Sequence, residues 1–281
     1  MNILLTGSTG FIGRNLLKEL LRNDKYKISS LYRKNTIRSI ISKRVNWIKT
    51  DLESITLKDL KDIQVVIHLA ATGVSPKISS QKELECINIS QSIRLIRLAA
   101  QAGVKRFIAT GTCLEYGNEA RKWNLIPPNS KLSPMCPYSR SKAKSFNLMR
   151  AYSRNNEIEF YYGRIFSAYG EGQFRNNFWP SLKQAALSGK DFLMTSGEQV
   201  RDFITVEEVS YHLKVAVHRT DIIAKEPFIV NIGSGVGKSL KDFAMSEWRK
   251  FGATGKLVIG GIENRPNEIP RMVADIEGLK Y

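Results

Sequence analysis

The stretch that decides the fold runs Asn2-Ile3-Leu4-Leu5-Thr6-Gly7-Ser8-Thr9-Gly10-Phe11-Ile12-Gly13. An apolar strand precedes the glycines, and a helix over 11–22 follows them. The spacing is G-x-x-G-x-x-G, which differs from the usual G-x-G-x-x-G fingerprint. Glycines at such a turn let the backbone approach a pyrophosphate, while the helix N-terminus supplies amide donors and a favourable dipole. The dinucleotide contacts predicted along this turn are Gly7, Thr9, Gly10, Phe11, Ile12 and Gly13.

Strand and helix patterns alternate after this opening. Short apolar runs predict strands at 2–6, 26–32, 45–49, 63–69, 104–110 and 158–166, with helices at 11–22, 54–61, 82–102 and 136–154 between them. Strands separated by helical segments imply a parallel sheet covered on both faces. We therefore predict an α/β fold, a doubly wound parallel sheet of the Rossmann-like type, with a smaller C-terminal substrate-binding lobe.

The pattern loosens in the second half of the chain. Helices are predicted at 175–189, 206–219 and 239–251, and a strand at 228–232. We predict a dinucleotide-binding core with the catalytic residues over 1–166 and a lobe that mainly binds substrate over 167–281, within a single compact unit.

Composition narrows the class of protein. No apolar run approaches the roughly 18–20 residues that cross a bilayer, and a strand directly after Met1 leaves no room for a signal peptide. The three cysteines show no CxxC spacing, so neither disulfides nor a metal site is predicted. We expect a cytoplasmic enzyme with no membrane partner.

The net charge of +17 is unusual, and the first fifty residues are rich in lysine and arginine. Such an excess attracts polyanions. A phosphate-rich cofactor and a nucleotide substrate are one interpretation, and a solvated lysine-rich surface is another. A non-catalytic RNA-binding or regulatory protein remains a minor alternative.

Arg33 and Lys34 follow the second predicted strand. A carboxylate there would bond the ribose 2′-hydroxyl of NAD, whereas two cations can meet the 2′-phosphate of NADP. We therefore predict NADPH, with NAD(H) as the alternative. Asp51 is either an adenine contact or a helix cap. The remaining predicted cofactor contacts are Leu52, Leu69, Ala70, Ala71 and Ile165.

Three residues further along can transfer a proton. Thr112 follows a predicted strand, and Tyr138 and Lys142 share one helical face at i, i+4 spacing. A neighbouring ammonium lowers the pKa of a phenol, which makes it a better general acid and base. Thr112 can bond the substrate oxygen, and Lys142 can also hold the cofactor ribose. We predict Thr112, Tyr138 and Lys142 as the catalytic residues, the last two also contacting cofactor.

These motifs together resemble the extended short-chain dehydrogenase/reductase family, the NAD-dependent epimerase/dehydratase group. The run from Thr112 to Gly117 is similar to the family's S/T-x-x-x-Y-G segment, the run 201–206 to its R-D-[FY]-[IV]-x-V segment, and Arg265-Pro266 with Glu268 to its R-P-x-E segment. The resemblance implies that Arg201, Arg265 and Asn177 bind the diphosphate of a nucleotide sugar. It also implies a substrate contact at Ser167 and a homodimer.

Departures from the family pattern narrow the predicted reaction. Dehydratases of the family carry Asp-Glu after the threonine, where this chain has Cys113-Leu114, so dehydration is not expected. The family's epimerases carry an acid after the second strand, where this chain has Arg33, and an asparagine where it has Ser167. We predict an NADPH-dependent reductase of a nucleotide-linked 4-keto-6-deoxy sugar, for example dTDP- or CDP-linked. The alternative is a nucleotide-sugar 4-epimerase that retains NAD.

Overall fold

A seven-stranded parallel sheet lies at the centre of the computed structural model, which describes residues 1–32, 42–74 and 78–279. The strands are β1 (Asn2–Thr6), β2 (Lys27–Tyr32), β3 (Val45–Lys49), β4 (Val65–His68), β5 (Arg106–Thr112), β6 (Glu159–Ile165), β7 (Ser167–Tyr169), β8 (Phe192–Met194), β9 (Val200–Thr205), β10 (Phe228–Ile232), β11 (Gly237–Ser239), β12 (Leu257–Ile259) and β13 (Arg271–Met272).

The helices between the strands fall close to the predicted positions. They are α1 (Phe11–Leu20), α2 (Gln81–Glu83), α3 (Ser92–Gln101), α4 (Pro137–Arg154), α5 (Phe178–Leu187), α6 (Val206–Ala216) and α7 (Leu240–Lys250). A π-helical segment, Leu84–Gln91, joins α2 to α3. The helix predicted at 54–61 is only a short 3-10 turn, Leu57–Leu60, whose start is capped by the Asp59 carboxylate accepting from the Thr56 amide. It ends there because Lys61 has an extended backbone and Asp62 has a φ of +61°. None of the helices in the described ranges is long and apolar enough to cross a membrane.

The strand order of the central sheet is β10-β6-β5-β4-β1-β2-β3. β1 pairs in parallel with both β2 and β4, so the chain reverses its direction of travel across the sheet between β1 and β4. In open α/β sheets, ligands bind outside the carboxyl ends of the strands at this reversal point. The predicted fold class is confirmed, and by this rule we expect the ligand crevice next to Gly7.

Alternating side chains of the sheet supply two hydrophobic cores. Ile3 and Leu5 point to the face covered by α1 and α6, whereas Leu4 points to the face covered by α3 and α4. Both faces are therefore buried, which explains why the central strands are continuous apolar runs.

The second half of the chain forms two small sheets and also returns to the large one. β7, β9, β11 and β13 make one small sheet, and β8 pairs with β12. β10 then pairs with β6, and α6 packs against α1. The division between a core over 1–166 and a lobe over 167–281 stays a prediction. In the structure, β10 and α6 from the second half are part of the main sheet and its hydrophobic core.

Candidate active site

The glycine turn is closely packed between β1 and β4. Gly7 has a φ of +74°, and a Cβ placed on it would lie 2.7 Å from the backbone nitrogen of Ala70. A Cβ on Gly13 would lie 2.1 Å from the carbonyl oxygen of Gly7. Only glycine fits at these two positions, which leaves a narrow cradle where a phosphate group could approach the backbone.

The first turn of α1 suits an anion. Gly10 is the residue before the helix, no side chain caps it, and the first turn contains no acidic residue. Arg14, which we did not single out in the sequence, folds back so that its guanidinium donates to the carbonyl oxygens of Thr9 at 2.9 Å and Gly10 at 3.3 Å. Amide donors and a cation therefore lie at the same turn, and these residues fit a pyrophosphate.

Arg33 and Lys34, on which the predicted preference for NADPH depends, lie outside the described residues. Asp51 is exposed, and its Oδ1 accepts hydrogen bonds from the backbone of Glu53 and Ser54, so it caps a turn. The proposed adenine contact of Asp51 stays a prediction. Leu52 is buried.

The end of β4 borders the crevice. Leu69, Ala70 and Ala71 are partly buried, and the Ala70 amide donates to Thr6 Oγ1 at 3.3 Å. His68, which ends β4, is buried and bonds Thr6 through Nδ1 at 2.8 Å and Ser92 through Nε2 at 2.9 Å. Burial, with the charge of Lys142, lowers the pKa of His68 to about 3. A neutral His68 therefore joins β1, β4 and α3 behind the crevice.

The three predicted catalytic residues lie at the carboxyl edge of the sheet. Thr112 is the last residue of β5, opposite Ile165 on β6. Tyr138 is the second residue of α4, after Pro137, and it is half-buried. Lys142 is one turn further along α4 and 7% exposed. The helix start thus holds the phenol and the ammonium on the side of α4 that faces the sheet.

The pKa of Tyr138 is shifted in the direction opposite to the one that the sequence predicted. Burial raises the pKa of Tyr138, and the charge of Glu115 raises it further, whereas the sequence predicted a lowered value from Lys142. Burial also lowers the pKa of Lys142, against the opposing effect of Glu115. The spacing of Tyr138 and Lys142 could not reveal that folding removes water from around both groups. A protonated phenol is the form favoured in this structure, and it is the form that can donate a proton.

Glu115 is a site residue whose role the sequence did not show. It is fully buried, and its Oε1 accepts from the Thr112 amide at 3.0 Å and from the Tyr162 hydroxyl at 2.8 Å. Its Oε2 accepts from Arg164 Nε at 2.8 Å. Although burial opposes the charged form of the guanidinium, Glu115 raises the pKa of Arg164. A buried ion pair therefore holds the backbone of Thr112.

Asn88, in the π-helical segment, fixes the start of α4. Its amide nitrogen donates to Ser141 Oγ at 2.9 Å and to the Thr72 carbonyl at 3.0 Å, and its oxygen accepts from the Thr72 amide. Ser141 in turn donates to the carbonyl of Tyr138 at 2.7 Å. We missed Asn88 in the sequence, where it is one polar residue in a helical stretch. A π-helical turn often marks a functional site.

The predicted substrate residues are spread over the second half. Arg201 on β9 forms an ion pair with Glu268 at 2.9 Å and donates to the carbonyl of Ile269. The R-D and R-P-x-E segments are therefore joined through Arg201 and Glu268. Asp202, the sequence neighbour of Arg201, points inward and accepts from the amides of Ser234 and Gly235.

Asn177 precedes α5, and its side chain does not cap that helix. Ser167 is partly buried at the start of β7, and Arg265 is exposed. The roles of Ser167, Asn177, Arg201 and Arg265 toward substrate stay predictions. A cavity of about 470 Å³ lies between α5 and the loop after β7. Thr112, Tyr138 and Lys142 do not line it.

A doubly wound sheet with this glycine turn, and with a threonine, tyrosine and lysine at its carboxyl edge, defines a short-chain dehydrogenase/reductase fold. The family model described as the NAD dependent epimerase/dehydratase family matches residues 3–233, and the chain belongs to that family.

Its curated relatives act on nucleotide sugars. The chain is 27% identical to CDP-abequose synthase of Salmonella typhimurium over 99% of this chain and 91% of that protein. It is 29% identical to a trifunctional UDP-glucose 4,6-dehydratase, 3,5-epimerase and UDP-4-keto-L-rhamnose reductase of Arabidopsis thaliana. That alignment covers 99% of this chain and 44% of the plant protein, so the chain spans less than half of its length.

Solved structures agree on the fold and show ligands in related proteins. UDP-glucuronic acid 4-epimerase from Bacillus cereus, in complex with UDP-glucuronic acid and NAD, superposes with a TM-score of 0.86 at 26% identity, covering 99% of this chain and 91% of that one. MoeE5, in complex with UDP-glucuronic acid and NAD, gives a TM-score of 0.85 at 27% identity over 100% of this chain and 91% of its own. Related structures thus bind a nucleotide sugar and NAD.

Proposed function

We propose that this protein is a reductase that uses NADPH to reduce the C4 carbonyl of a nucleotide-linked 4-keto-6-deoxy sugar. The observation that carries the proposal is the position of Thr112, Tyr138 and Lys142 at one sheet edge, with Cys113 and Leu114 directly after the threonine. The names of the relatives support the substrate class, since both CDP-abequose synthase and the plant reductase concern nucleotide-linked sugars.

The chain's residues divide the reaction between them. A bound reduced nicotinamide supplies the hydride. Thr112 orients the carbonyl oxygen, and Tyr138, whose pKa is raised by burial, donates a proton to that oxygen as negative charge develops there. Lys142, one turn further along α4 than Tyr138, would bind the ribose and bring a positive charge to the site. The cradle at Gly7 and Gly13 and the amides of α1 hold the pyrophosphate.

The two residues after Thr112 argue against dehydration. Removal of water needs a base and an acid at the sugar ring. Burial raises the pKa of the Cys113 thiol to about 12, so it is not a base near neutral pH, and Leu114 has no ionisable group. A carbonyl reduction needs only the proton of Tyr138 and a hydride.

The proposal is tested by incubating the protein with NADPH and dTDP-, CDP-, GDP- and UDP-linked 4-keto-6-deoxy sugars. We expect loss of reduced-nicotinamide absorbance in step with product for one of them. Absence of NADPH oxidation with the whole panel, while NAD supports interconversion of C4 epimers of nucleotide sugars that carry a C4 hydroxyl, would replace the reductase with the 4-epimerase.

The catalytic assignment has its own test. Tyr138→Phe should bind NADPH normally and lose roughly 10²- to 10⁴-fold in turnover, because the proton donor is gone. Tyr152→Phe is the matched control, since Tyr152 lies on the same helix and is also half-buried. Turnover of Tyr138→Phe equal to that of the control would refute the role of Tyr138.

A further inference from the structure

A second cavity, of about 240 Å³, lies away from the glycine turn, between α4, β6 and the loop that precedes α4. Three cationic side chains line it: Lys131 from the loop, Arg150 from α4 and Arg164 from β6. No acidic residue lines this cavity in the described part of the chain. Three positive charges around one small cavity repel one another unless an anion lies between them.

Both arginines of the wall lie over the ring of Phe146. Arg164 is 1% exposed, and its guanidinium lies over the ring of Phe146 at 4.4 Å and donates to the Pro128 carbonyl at 2.9 Å. The Arg150 guanidinium also lies over the Phe146 ring, 5.0 Å from its centroid, and donates to Asn147 Oδ1 at 3.3 Å. Burial lowers the pKa of Arg150, and the charges of Arg154 and Arg164 lower it further.

Among the residues described, the carboxylate that forms an ion pair with one of these cations, Glu115, does not line the cavity. Glu115 meets Arg164 through Nε, on the side of Thr112 and Tyr162. Lys131 and Arg150 form no ion pair with any of the residues described. Ser130 also lines the cavity, and its buried hydroxyl has no hydrogen-bond partner among the residues described. Cations and an unused hydroxyl donor therefore converge on the same volume.

We propose that this cavity binds a small phosphorylated anion at Lys131, Arg150 and Arg164, separately from the cofactor and the sugar nucleotide. Planar guanidinium groups match the oxygen geometry of phosphate, and the serine hydroxyl adds a further donor. The small volume of the cavity suits a phosphate monoester or free phosphate and does not suit an extended polyanion such as RNA. This inference stands whether or not the proposed reductase activity is correct.

The site has a direct physical connection to the catalytic edge. An anion bound to Arg164 acts on the same guanidinium that holds Glu115, and Glu115 holds the amide of Thr112. Occupancy should therefore stabilise the segment that includes Thr112, because a ligand that binds only the native arrangement favours it.

The binding test uses inorganic phosphate, titrated into the full chain by calorimetry at constant ionic strength. We expect one site, and at least a tenfold weaker affinity in the double variant Lys131→Gln, Arg150→Gln. The control double variant Lys58→Gln, Lys144→Gln removes the same charge from exposed residues that do not line the cavity. Equal weakening in the two variants, or no binding to the wild type, would overturn the proposal.

Two further measurements separate this site from the cofactor cradle and test its connection. Phosphate should bind with unchanged affinity when NADPH is saturating, and displacement by NADPH would overturn the assignment to this cavity. Hydrogen exchange of the segment 106–116 should slow on adding phosphate to the wild type and stay unchanged in the Lys131→Gln, Arg150→Gln variant. Unchanged exchange in a phosphate-bound wild type would overturn the connection to Thr112.

Discussion

Strands β5 and β6 hold one arginine–glutamate pair at each end. At the amino edge of the sheet, Arg106 meets Glu159 at 2.6 Å, and their side chains are 8% and 13% exposed. At the carboxyl edge, Arg164 meets Glu115 at 2.8 Å, with 1% and 0% exposed. The two pairs are similar in distance and burial, but the other hydrogen-bond partners of their side chains differ.

The partners show what each pair stabilises. Arg106 also donates to the carbonyls of Ala216, Val217 and Arg219, so it satisfies the end of α6. Glu115 instead holds the Thr112 amide and the Tyr162 hydroxyl. The amino-edge pair therefore fixes a helix end, whereas the carboxyl-edge pair fixes a catalytic residue. The structural role of a buried ion pair is therefore shown by the other hydrogen bonds that its two side chains make.

The largest expected effect comes from Glu115→Gln. It leaves the Arg164 charge buried without a counter-ion, which costs about 3–5 kcal/mol of unfolding free energy. Turnover by the remaining folded protein should fall by up to about 10²-fold, because a glutamine has only one acceptor oxygen and cannot hold the Thr112 amide and Arg164 Nε through two oxygens as Glu115 does. Chemical denaturation and steady-state kinetics measure the two effects.

Glu159→Gln is the matched control for that substitution. Arg106 keeps its three carbonyl acceptors, so the loss of unfolding free energy should be about 1–3 kcal/mol, with turnover per folded molecule unchanged. A larger loss of turnover in Glu159→Gln than in Glu115→Gln would break the distinction between the two edges.

The sequence predicted the elements at both edges but only part of what they hold. Strands such as β4 are short continuous apolar runs, and the i, i+4 spacing of Tyr138 and Lys142 is visible directly. The Glu115–Arg164 pair is not visible, because it depends on the register that sets Gly111 opposite Arg164. Long-range register is decided by packing and not by local spacing.

Arg201 and Asp202 on β9 also have partners that their sequence spacing does not predict. Arg201 and Asp202 are neighbours in the sequence, which suggests a local ion pair when no relative is considered. Successive side chains of a strand point to opposite faces. Asp202 is therefore buried against the loop at Ser234, while Arg201 reaches Glu268, sixty-seven positions along the chain.

The next effect concerns pH and the two histidines at opposite edges. His68 is buried at the carboxyl edge with a pKa lowered to about 3. A histidine kept neutral by folding stabilises the protein above its unfolded pKa of about 6.5, and this contribution is lost as the pH falls from about 6.5 to 3. The slope reaches about 1.4 kcal/mol per pH unit.

His68→Gln should remove the contribution of His68 to the pH dependence of stability. The measurement is the unfolding free energy of variant and wild type at several pH values below neutral. His218→Gln is the comparison: burial and the charge of Arg106 also lower the pKa of His218, but this residue is exposed at the amino edge, where it stacks on Tyr26, so we expect a smaller change in the acid slope. If His218→Gln flattened the acid slope as much as His68→Gln, the burial of His68 would not be its cause.

Gly13→Ala is expected to lower the unfolding free energy less than Glu115→Gln does. It should also weaken the binding of NADPH. The new methyl group would meet the carbonyl of Gly7, and backbone atoms can yield only by shifting the turn. We expect a loss of about 1–3 kcal/mol of unfolding free energy, as for other overpacked positions. Affinity for NADPH should fall in the same variant, as measured by fluorescence titration, and an unchanged affinity would contradict the cradle.

The smallest effect is predicted for Gly103→Ala at the amino edge, where α3 has ended and β5 is about to begin. Gly103 has a φ of +76°, but a Cβ placed on it would meet nothing within 4 Å. The cost is then only the left-handed backbone, about 1–2 kcal/mol of unfolding free energy. Affinity for NADPH should not change, because Gly103 lies at the opposite edge from the phosphate cradle. A loss of cofactor affinity equal to that of Gly13→Ala would mean that backbone strain anywhere in the sheet disturbs the cradle, and the contrast between the two edges would fail.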